Sequence, residues 1–524
     1  MNAAARAPAP SSMARFVSAA ATAAARSFTL DVRSLAAFRM GLGLVVLADG
    51  ILRGRDAGLM FSPDGFFPPD VVRAFHGTPA AWSLALAGDA AWWGPVVVAA
   101  EAVAGILLAL GAWTTWSTLA AWALVMSVVH RTPPATNAGD MWLIAMLCWS
   151  MFLPLGATWS IDARRRRAGR TPASAVCSIA SAALVIQIAT VYLGAGLAKC
   201  NPSWLSGEAM KHALSVHDHG NWLGMAVARR DWLSAPVTWL VVAVELVAPF
   251  VLVAVPATRV RLGLVAAFML FHLAIQATMS IGLFAAIGLT AWLAVIPAEA
   301  WMAVRFAAPA GPVVGLRPWA ARVCAAALVL AAVSFAHFWG LLGRAPLPKP
   351  VAAAITAVGV SQEWSMFGEV PRQEQWVYGR AVLADGAVVD LLRDGVPLDG
   401  DPPEGGFWSL PHHRWHKFFW VLPRPHVRVF GAPAAAALAR QWNEAHPEGR
   451  QVTSLELRFA VRTVGASPTE QDLLLGSWPD RRHGAGNLER LLQATDGQAG
   501  TAAGRDATGS DARAGIPKRG PGRL

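Results

Sequence analysis

Charge is scarce in this chain: Asp, Glu, Lys and Arg make up 15% of its 524 residues, against roughly 25% in ordinary soluble domains. Apolar residues reach 55% and the mean hydropathy is +0.42. This excludes a wholly soluble chain and points to a multi-spanning membrane protein with a soluble part attached. Tyrosine is nearly missing, 2 residues against 24 tryptophans, so Trp must build any aromatic belt at the membrane surfaces. The four cysteines (Cys148, Cys177, Cys200, Cys324) lie in or beside apolar segments. Their spacing implies neither a zinc site nor a disulfide framework. No Walker A loop, dinucleotide fingerprint or His-Glu-x-x-His occurs, and no Gly-x-Ser-x-Gly elbow. No soluble segment interleaves a basic stripe with aromatics, so nucleic acid is not an expected partner. The formal charge of +11 reads instead as topology and attraction to the membrane surface.

Long apolar runs are what the chain does have. They fall near 34–52, 91–111, 114–130, 140–158, 175–199, 235–256, 259–277, 281–299 and 320–342. Each is of spanning length, so the expected fold is mainly α, a polytopic helical bundle of about nine spans. Residues 1–30 are Ala-, Ser- and Arg-rich with no apolar core ahead of a cleavage site, which reads as a disordered cytoplasmic tail. The loop Arg164-Arg-Arg-Arg167 with Arg170 is the strongest cytoplasmic signal. Alternation from there puts the N-terminus inside, together with Arg259, Arg261, Arg305 and Arg317. An odd span count then puts the C-terminal part outside the cytoplasm.

After a transmembrane domain over 31–343 the character changes. Residues 345–470 read as a small soluble α+β domain. Trp376-Val-Tyr-Gly-Arg-Ala-Val-Leu383 and Ala387-Val-Val-Asp-Leu-Leu392 read as strands joined at a hairpin turn, Asp385-Gly386. Val427-Arg-Val-Phe430 is a further expected strand. Ala434 to Ala445 reads as a helix with Pro433 at its first position, and 452–461 alternates as a strand. The stretch His412-His-Arg-Trp-His-Lys417 offers His412, His413 and His416 for a metal or an anion. No carboxylate lies nearby in sequence, which favours a basic, aromatic surface near lipid headgroups over a metal site. Residues 480–524, rich in Gly, Ala, Arg and Asp, read as a second disordered tail.

The ionisable residues within the spans are the informative set. Arg39 and Asp49 lie on the first span and Glu101 on the second. His130 ends the third, Asn137 and Asp140 open the fourth, and Lys199 ends the fifth. Glu245 is in the sixth and His272 late in the seventh. Lys or Asp at membrane depth costs about 2.5–3.5 kcal/mol, so such groups face protein or a cavity. In the expected topology Asp49, His130, Asn137, Asp140, Lys199 and His272 share one level, which suggests a wet pocket opening away from the cytoplasm. Glu101 and Glu245 sit nearer mid-depth. Plainer readings stand beside this one. Lys199 and Arg39 snorkel, His130 is interfacial, His272 is a satisfied core histidine, and the set is a structural polar network between helices. Glu101 and Glu245 alone favour a transporter, and no inverted repeat supports one.

Several motifs occur in a telling order. They are Ser34-Leu-Ala-Ala-Phe-Arg-Met-Gly41, Phe61-Ser-Pro-Asp-Gly65, His130-Arg-Thr-Pro133 with Asn137-Ala-Gly-Asp140, and Phe152-Leu-Pro-Leu-Gly156. Gly194-Ala-Gly-Leu-Ala-Lys-Cys-Asn-Pro-Ser-Trp204 follows, then Phe271-His272 with Ile281-Gly-Leu-Phe284. Over roughly 30–300 this order resembles the horizontally transferred transmembrane (HTTM) domain, the membrane part of vitamin K-dependent gamma-glutamyl carboxylase and its bacterial relatives. The tail with Trp364-Ser-Met-Phe367 and Arg414-Trp-His-Lys417 is similar to that of bacterial members. The resemblance implies a bacterial inner membrane and a reduced, vitamin K-like quinone as cofactor. It makes Lys199 the base and lines the ligand pocket with Asn137, Asp140, His272, His130, Glu101 and Glu245. Carboxylase chemistry of this kind needs a dry pocket and a neutral amine. One departure bears on the reaction: animal carboxylases carry a histidine after the asparagine matching Asn137, and here Ala138 and Gly139 follow. A shorter C-terminal region is the second departure. The expectation is therefore a quinone- or lipid-binding membrane protein with carboxylase-like activity. The alternative is a non-enzymatic binding or assembly protein whose C-terminal domain recruits a protein partner. No metal is called for.

Overall fold

The computed structural model describes residues 25–166, 171–215, 220–307, 309–368, 370, 373–398, 403, 406–463 and 470–479. Most of the N-terminal tail, the whole 480–524 tail, Arg167 and Arg170 lie outside these residues.

Helix α1 (Val32–Gly54) starts where Asp31 accepts the Arg33 backbone N–H at 2.7 Å. It pairs antiparallel with α2 (Trp93–Leu110) at close range because glycines face each other. A Cβ added at Gly43 would come within 2.6 Å of the Gly105 carbonyl oxygen, the small-residue contact that membrane helices use. Then follow α3 (Thr114–Arg131), α4 (Ala138–Ser150), α5 (Ile179–Ala198), α6 (Asp231–Ala254), α7 (Thr258–Thr278), α8 (Phe284–Leu293) and α9 (Pro318–Phe338). Among the described residues six helices are long and apolar enough to cross a bilayer: α1, α2, α5, α6, α7 and α9. The other three expected spans form shorter or less apolar helices. At 1.5 Å per residue, α4 and α8 reach only about 20 and 15 Å, against a hydrocarbon core of about 30 Å. Helix α4 tolerates this because it is an inner helix, buried continuously from Trp142 to Ser150. The outer helices turn large apolar side chains outward, among them Leu240, Phe250, Leu270 and Val329, as a lipid-facing surface requires.

The bundle has two distinct ends. At one, residues 29–31, 175–177 and 313–314 form a three-stranded ribbon. Here Arg33 donates to the carbonyls of Phe306 and Ala298, and Arg261 to that of Ser27. Trp116 and Trp319 are exposed at this ribbon end, while Trp222 and Trp232 are exposed at the far end. Trp thus stands exposed at both ends of the bundle, the levels at which an aromatic belt would lie.

Helix α10 (Lys349–Val358) leads into an irregular segment, 359–368, that threads the bundle. Val360, Gln362 and Trp364 on it are almost fully buried, and Val360 and Trp364 join the same apolar core as α4 and α5. Non-helical backbone is tolerated at such depth only when protein surrounds it.

The strand-containing region packs on the far end. Strands β1 (Gln373–Leu383), β2 (Val388–Asp390), β3 (Val396–Pro397), β4 (Val452–Thr463) and β5 (Glu470–Trp478) form one antiparallel sheet in the order β3-β2-β1-β4-β5. The expected hairpin forms at Asp385-Gly386, where Gly386 takes φ +85°, a backbone favouring glycine. Helices α11 (His413–Val421) and α12 (Gly431–Ala445) complete the region. Pro433 lies in the first turn of α12, two residues later than expected. The expected strand at Val427–Phe430 is instead a single 3-10 turn, Arg428–Phe430. Phe430 is driven inward against Phe67 (5.4 Å between ring centroids) and the turn runs straight into α12. One apolar core spans sheet, α11, α12 and the early loop Phe61–Val72. Phe66 stacks on Phe418 at 5.4 Å and meets Trp415 edge-on at 5.1 Å.

Candidate functional site

Three buried polar groups hold most of the expected site residues. The first lies at the end of α5. Asn201 caps the next turn, accepting from the N–H groups of Ser203 and Trp204 with Pro202 at the first position. This turns the chain sharply and leaves Lys199 pointing inward. Its Nζ lies 2.8 Å from Glu245 Oε2 on α6. It also donates to the carbonyls of Met366 (3.0 Å) and Ala195 (3.3 Å), and sits 5.1 Å over the Trp204 ring. The two carbonyls take two of the three N–H donors of an ammonium, and the contact with Glu245 is ionic, its Oε2 having no hydrogen-bond partner among the described residues. The Lys199 and Glu245 side chains are both nearly sealed from solvent.

The second group is aromatic. Tyr192 is seven residues before Lys199, two helical turns along the same face, or about 10 Å. Its hydroxyl lies 2.6 Å from His272 Nε2 and accepts from Trp292 Nε1 at 2.7 Å. Phe268, Phe284 and Trp142 pack around it. Two buried ring nitrogens here, His272 Nδ1 and Trp142 Nε1, have no hydrogen-bond partner among the described residues. Such orphans are uncommon in buried sites.

The third group joins the two parts of the chain. Asn137 and Asp140 form a reciprocal cap on α4: Asn137 Oδ1 accepts from Gly139 N at 2.8 Å, and Asp140 Oδ2 from Asn137 N at 2.8 Å. Asp140 Oδ1 also accepts from Arg414 (2.9 Å) and Arg53 (3.3 Å). Asp49 pairs with Arg53 at 2.9 Å and with Arg414. Glu101, fully buried, lies against Asp49. Burial opposes the charge on Arg414, but the Asp140 and Asp49 carboxylates outweigh it and raise the guanidinium's pKa. A cavity of about 10 Å³ between Arg53, Asp56, Thr132, His412 and Arg414 has room for about one water.

The structure does not bring all expected pocket residues together. Lys199 and Glu245 pair; Asn137, Asp140 and Glu101 share the Arg414 cluster; His272 joins Tyr192. His130 stands apart, its Nδ1 2.8 Å from the Trp82 carbonyl oxygen and its ring against His76. Arg39 is also separate, donating to the Trp159 carbonyl at 2.7 Å near the ribbon end. In the His-rich stretch the rings diverge. His412 caps α11 and pairs with Asp56, His413 packs on Gly282, and His416 stacks on Phe407. Among the described residues no group of three or more His, Cys, Asp or Glu is placed to hold a metal. Burial, with the Arg414 charge beside it, lowers the His413 pKa to about 3. Burial and the Arg424 charge bring Lys417 down to about 8. A cavity of about 580 Å³ opens at the ribbon end between Thr114, Thr118, Ser150, Leu155 and Asp162, and none of the expected site residues lines it.

Arg53 and Tyr192 escape sequence reasoning, and Arg414 and 364–367 enter it only as motifs of the C-terminal tail, without their buried partners. Arg53 is four residues from Asp49, a spacing that could have revealed the pair. Tyr192, one of two tyrosines and set mid-span, carried a signal too.

A model of the HTTM domain family matches residues 29–301, slightly more than half of the chain. No curated protein and no solved structure matches it.

Proposed function

Because the chain belongs to the HTTM domain family, we propose that this multi-pass membrane protein binds a quinone or similar lipid-like molecule between Lys199 and His272. The observation carrying this reading is the pair of unpartnered nitrogens, His272 Nδ1 and Trp142 Nε1, in an aromatic cage two helical turns from a buried ammonium–carboxylate pair. A flat ring with oxygens at opposite edges suits such a cage: aromatic faces take the ring and polar hydrogens take the oxygens. His272, Trp142 and Lys199 would hold the molecule, and Glu245 would set the Lys199 side chain. A reduced quinone would supply an acidic hydroxyl and two electrons. The residues themselves exclude water and orient the ring, and once Lys199 Nζ has passed a proton to Glu245 Oε2, 2.8 Å away, the neutral amine can take up a proton, as carboxylase-like chemistry needs. Nine crossings, with α3, α4 and α8 as inner or partial ones, give the topology. The arginine-bearing loops at the ribbon end then face the cytoplasm of a bacterial inner membrane, and the sheet region lies outside it.

The test is lipid extraction and native mass spectrometry of the purified protein. A co-purifying quinone that is lost in Lys199→Ala and in His272→Phe supports the reading; equal retention in all three proteins overturns it. A second reading, a non-enzymatic binding or assembly protein, draws on the enclosure of Lys199 Nζ by the Glu245 carboxylate and two main-chain carbonyls. It predicts no bound quinone, tolerance of Lys199→Met with Glu245→Leu in function, and loss of function when 373–479 is removed.

A further inference from the structure

One of the groups that cover Lys199 belongs to the irregular segment 359–368. The tripeptide 366–368 presents three successive carbonyls, and each is taken by one donor from the turn after α5. Lys199 Nζ donates to Met366 O at 3.0 Å, Trp204 Nε1 to Phe367 O at 2.8 Å and Asn201 Nδ2 to Gly368 O at 2.6 Å. Upstream, the Gln362 and Gln187 amides bond reciprocally at 2.8 and 2.9 Å. The segment has no helix or strand of its own and begins at Gly359, with φ +73°. Phe367 takes φ +55°, a left-handed backbone that a bulky residue adopts only under constraint. The bonds at 366–368 thus hold a strained residue in place, and their release relieves it.

We infer that residues 360–367 are a gating strap: while closed, the Met366 carbonyl completes the shell of acceptors around Lys199, and opening frees the amine and the path to it. This deepens the ligand reading above and rests on it only for what passes the strap. The closed strap makes Lys199 a structural ammonium, and the open strap makes it available to a ligand. Local opening of a polar-bonded, irregular segment between rigid helices is the usual low-energy motion of a fold.

The experiment uses the full chain in lipid nanodiscs. A Cβ at Gly368 would lie 3.0 Å from Ala198 Cβ, so a shift of about 0.5 Å at the irregular segment brings the pair to the Cβ–Cβ span of a disulfide. Ala198→Cys with Gly368→Cys, in a Cys200→Ala background, therefore locks the strap when oxidised. Hydrogen exchange is read over 359–368, and menaquinone-4 is the binding probe. The expected result is strap exchange at least about tenfold faster than in α5, suppressed by the lock and restored by reductant, with menaquinone-4 uptake following the same pattern. Trp204→Phe, which keeps the ring but loses one strap donor, should speed strap exchange roughly fivefold without the lock. Strap amides as protected as those of α5, with no change in Trp204→Phe, overturn the inference. So does menaquinone-4 uptake at one rate in the locked and reduced forms. An opening strap with no menaquinone-4 binding in the unmodified protein leaves the strap standing and removes the quinone reading.

Discussion

Lys199 and Arg414 are equally buried cations, each 3% exposed, and their surroundings differ in kind. Arg414 is held by side chains from two distant parts of the chain: it pairs with Asp49 of α1 and Asp140 of α4, and Arg53 of α1 binds the same two carboxylates. The four charges balance only together: without Arg414, two buried carboxylates share Arg53 alone. Lys199 has one carboxylate, Glu245, and its remaining bonds go to main-chain carbonyls, one of them on the strap. A guanidinium among carboxylates is a fixed joint, because its planar fork matches them bidentately. An ammonium completed by a carbonyl on an irregular segment can be undone by moving that segment. The first arrangement fastens the sheet region to the bundle, and the second leaves a buried cation under a cover.

The comparison is broken most directly at Arg414. Arg414→Ala leaves two buried carboxylates to share Arg53 and should cost about 3–5 kcal/mol, seen as a large drop in melting temperature in detergent; Arg414→Lys should recover only part, since an ammonium lacks the fork. Lys199→Met alone should cost roughly 3 kcal/mol by leaving Glu245 unpaired. Adding Glu245→Leu should restore much of that loss, because the pair is isolated. Arg414→Met with Asp49→Leu should be rescued less, because Arg53 and Asp140 each lose their shorter contact and keep only the one at 3.3 Å. Equal rescue at both sites in denaturation curves would contradict the contrast drawn here. Tyr192→Phe leaves His272 Nε2 and Trp292 Nε1 without their shared partner and should cost about 1–3 kcal/mol. Acid should act mildly at first through His413, which faces Arg414, His412, Asp49 and Asp140. It binds a proton near pH 6.5 when unfolded but only near pH 3 when folded. Between those values the unfolded chain holds more protons, so stability falls as pH drops through this window. His413→Gln should flatten the melting temperature between pH 7 and 5. Asp56 follows lower: its hydrogen bonds to His412 and Trp415 outweigh burial and hold its carboxyl below the usual range. Its contribution is present above about pH 3.9 and is lost as pH falls through the folded value.

The apolar runs made the helical bundle legible, and the Asp385-Gly386 turn and the alternation at 452–461 did the same for the sheet. The span count was less so, because length read from hydropathy does not tell an inner helix such as α4 from one that meets lipid. Of the site, the costly residues were visible one at a time: a lone Lys199, Glu245, Asp140 or His272 is conspicuous in an apolar run. Their partners were not. Asp49 and Arg414 are 365 residues apart, and no local pattern announces such a pair. Arg414 looked like a headgroup-binding arginine because its carboxylates lie on other elements. The strap was hidden for the opposite reason: 359–368 is short and has no period, and its binding groups are carbonyls, which every sequence has.

Phe66 and Phe67 belong to a core whose other half is encoded some 350 residues later, in Phe418, Phe419 and Phe430. During synthesis at roughly 5–20 residues per second, the first loop must therefore wait tens of seconds with two aromatic rings uncovered. The ribosome will by then have delivered every membrane helix. The nascent loop is a natural client for a chaperone on its side of the membrane, and a chain that stops before Phe430 would carry a standing mark of incompleteness for quality-control proteases to read.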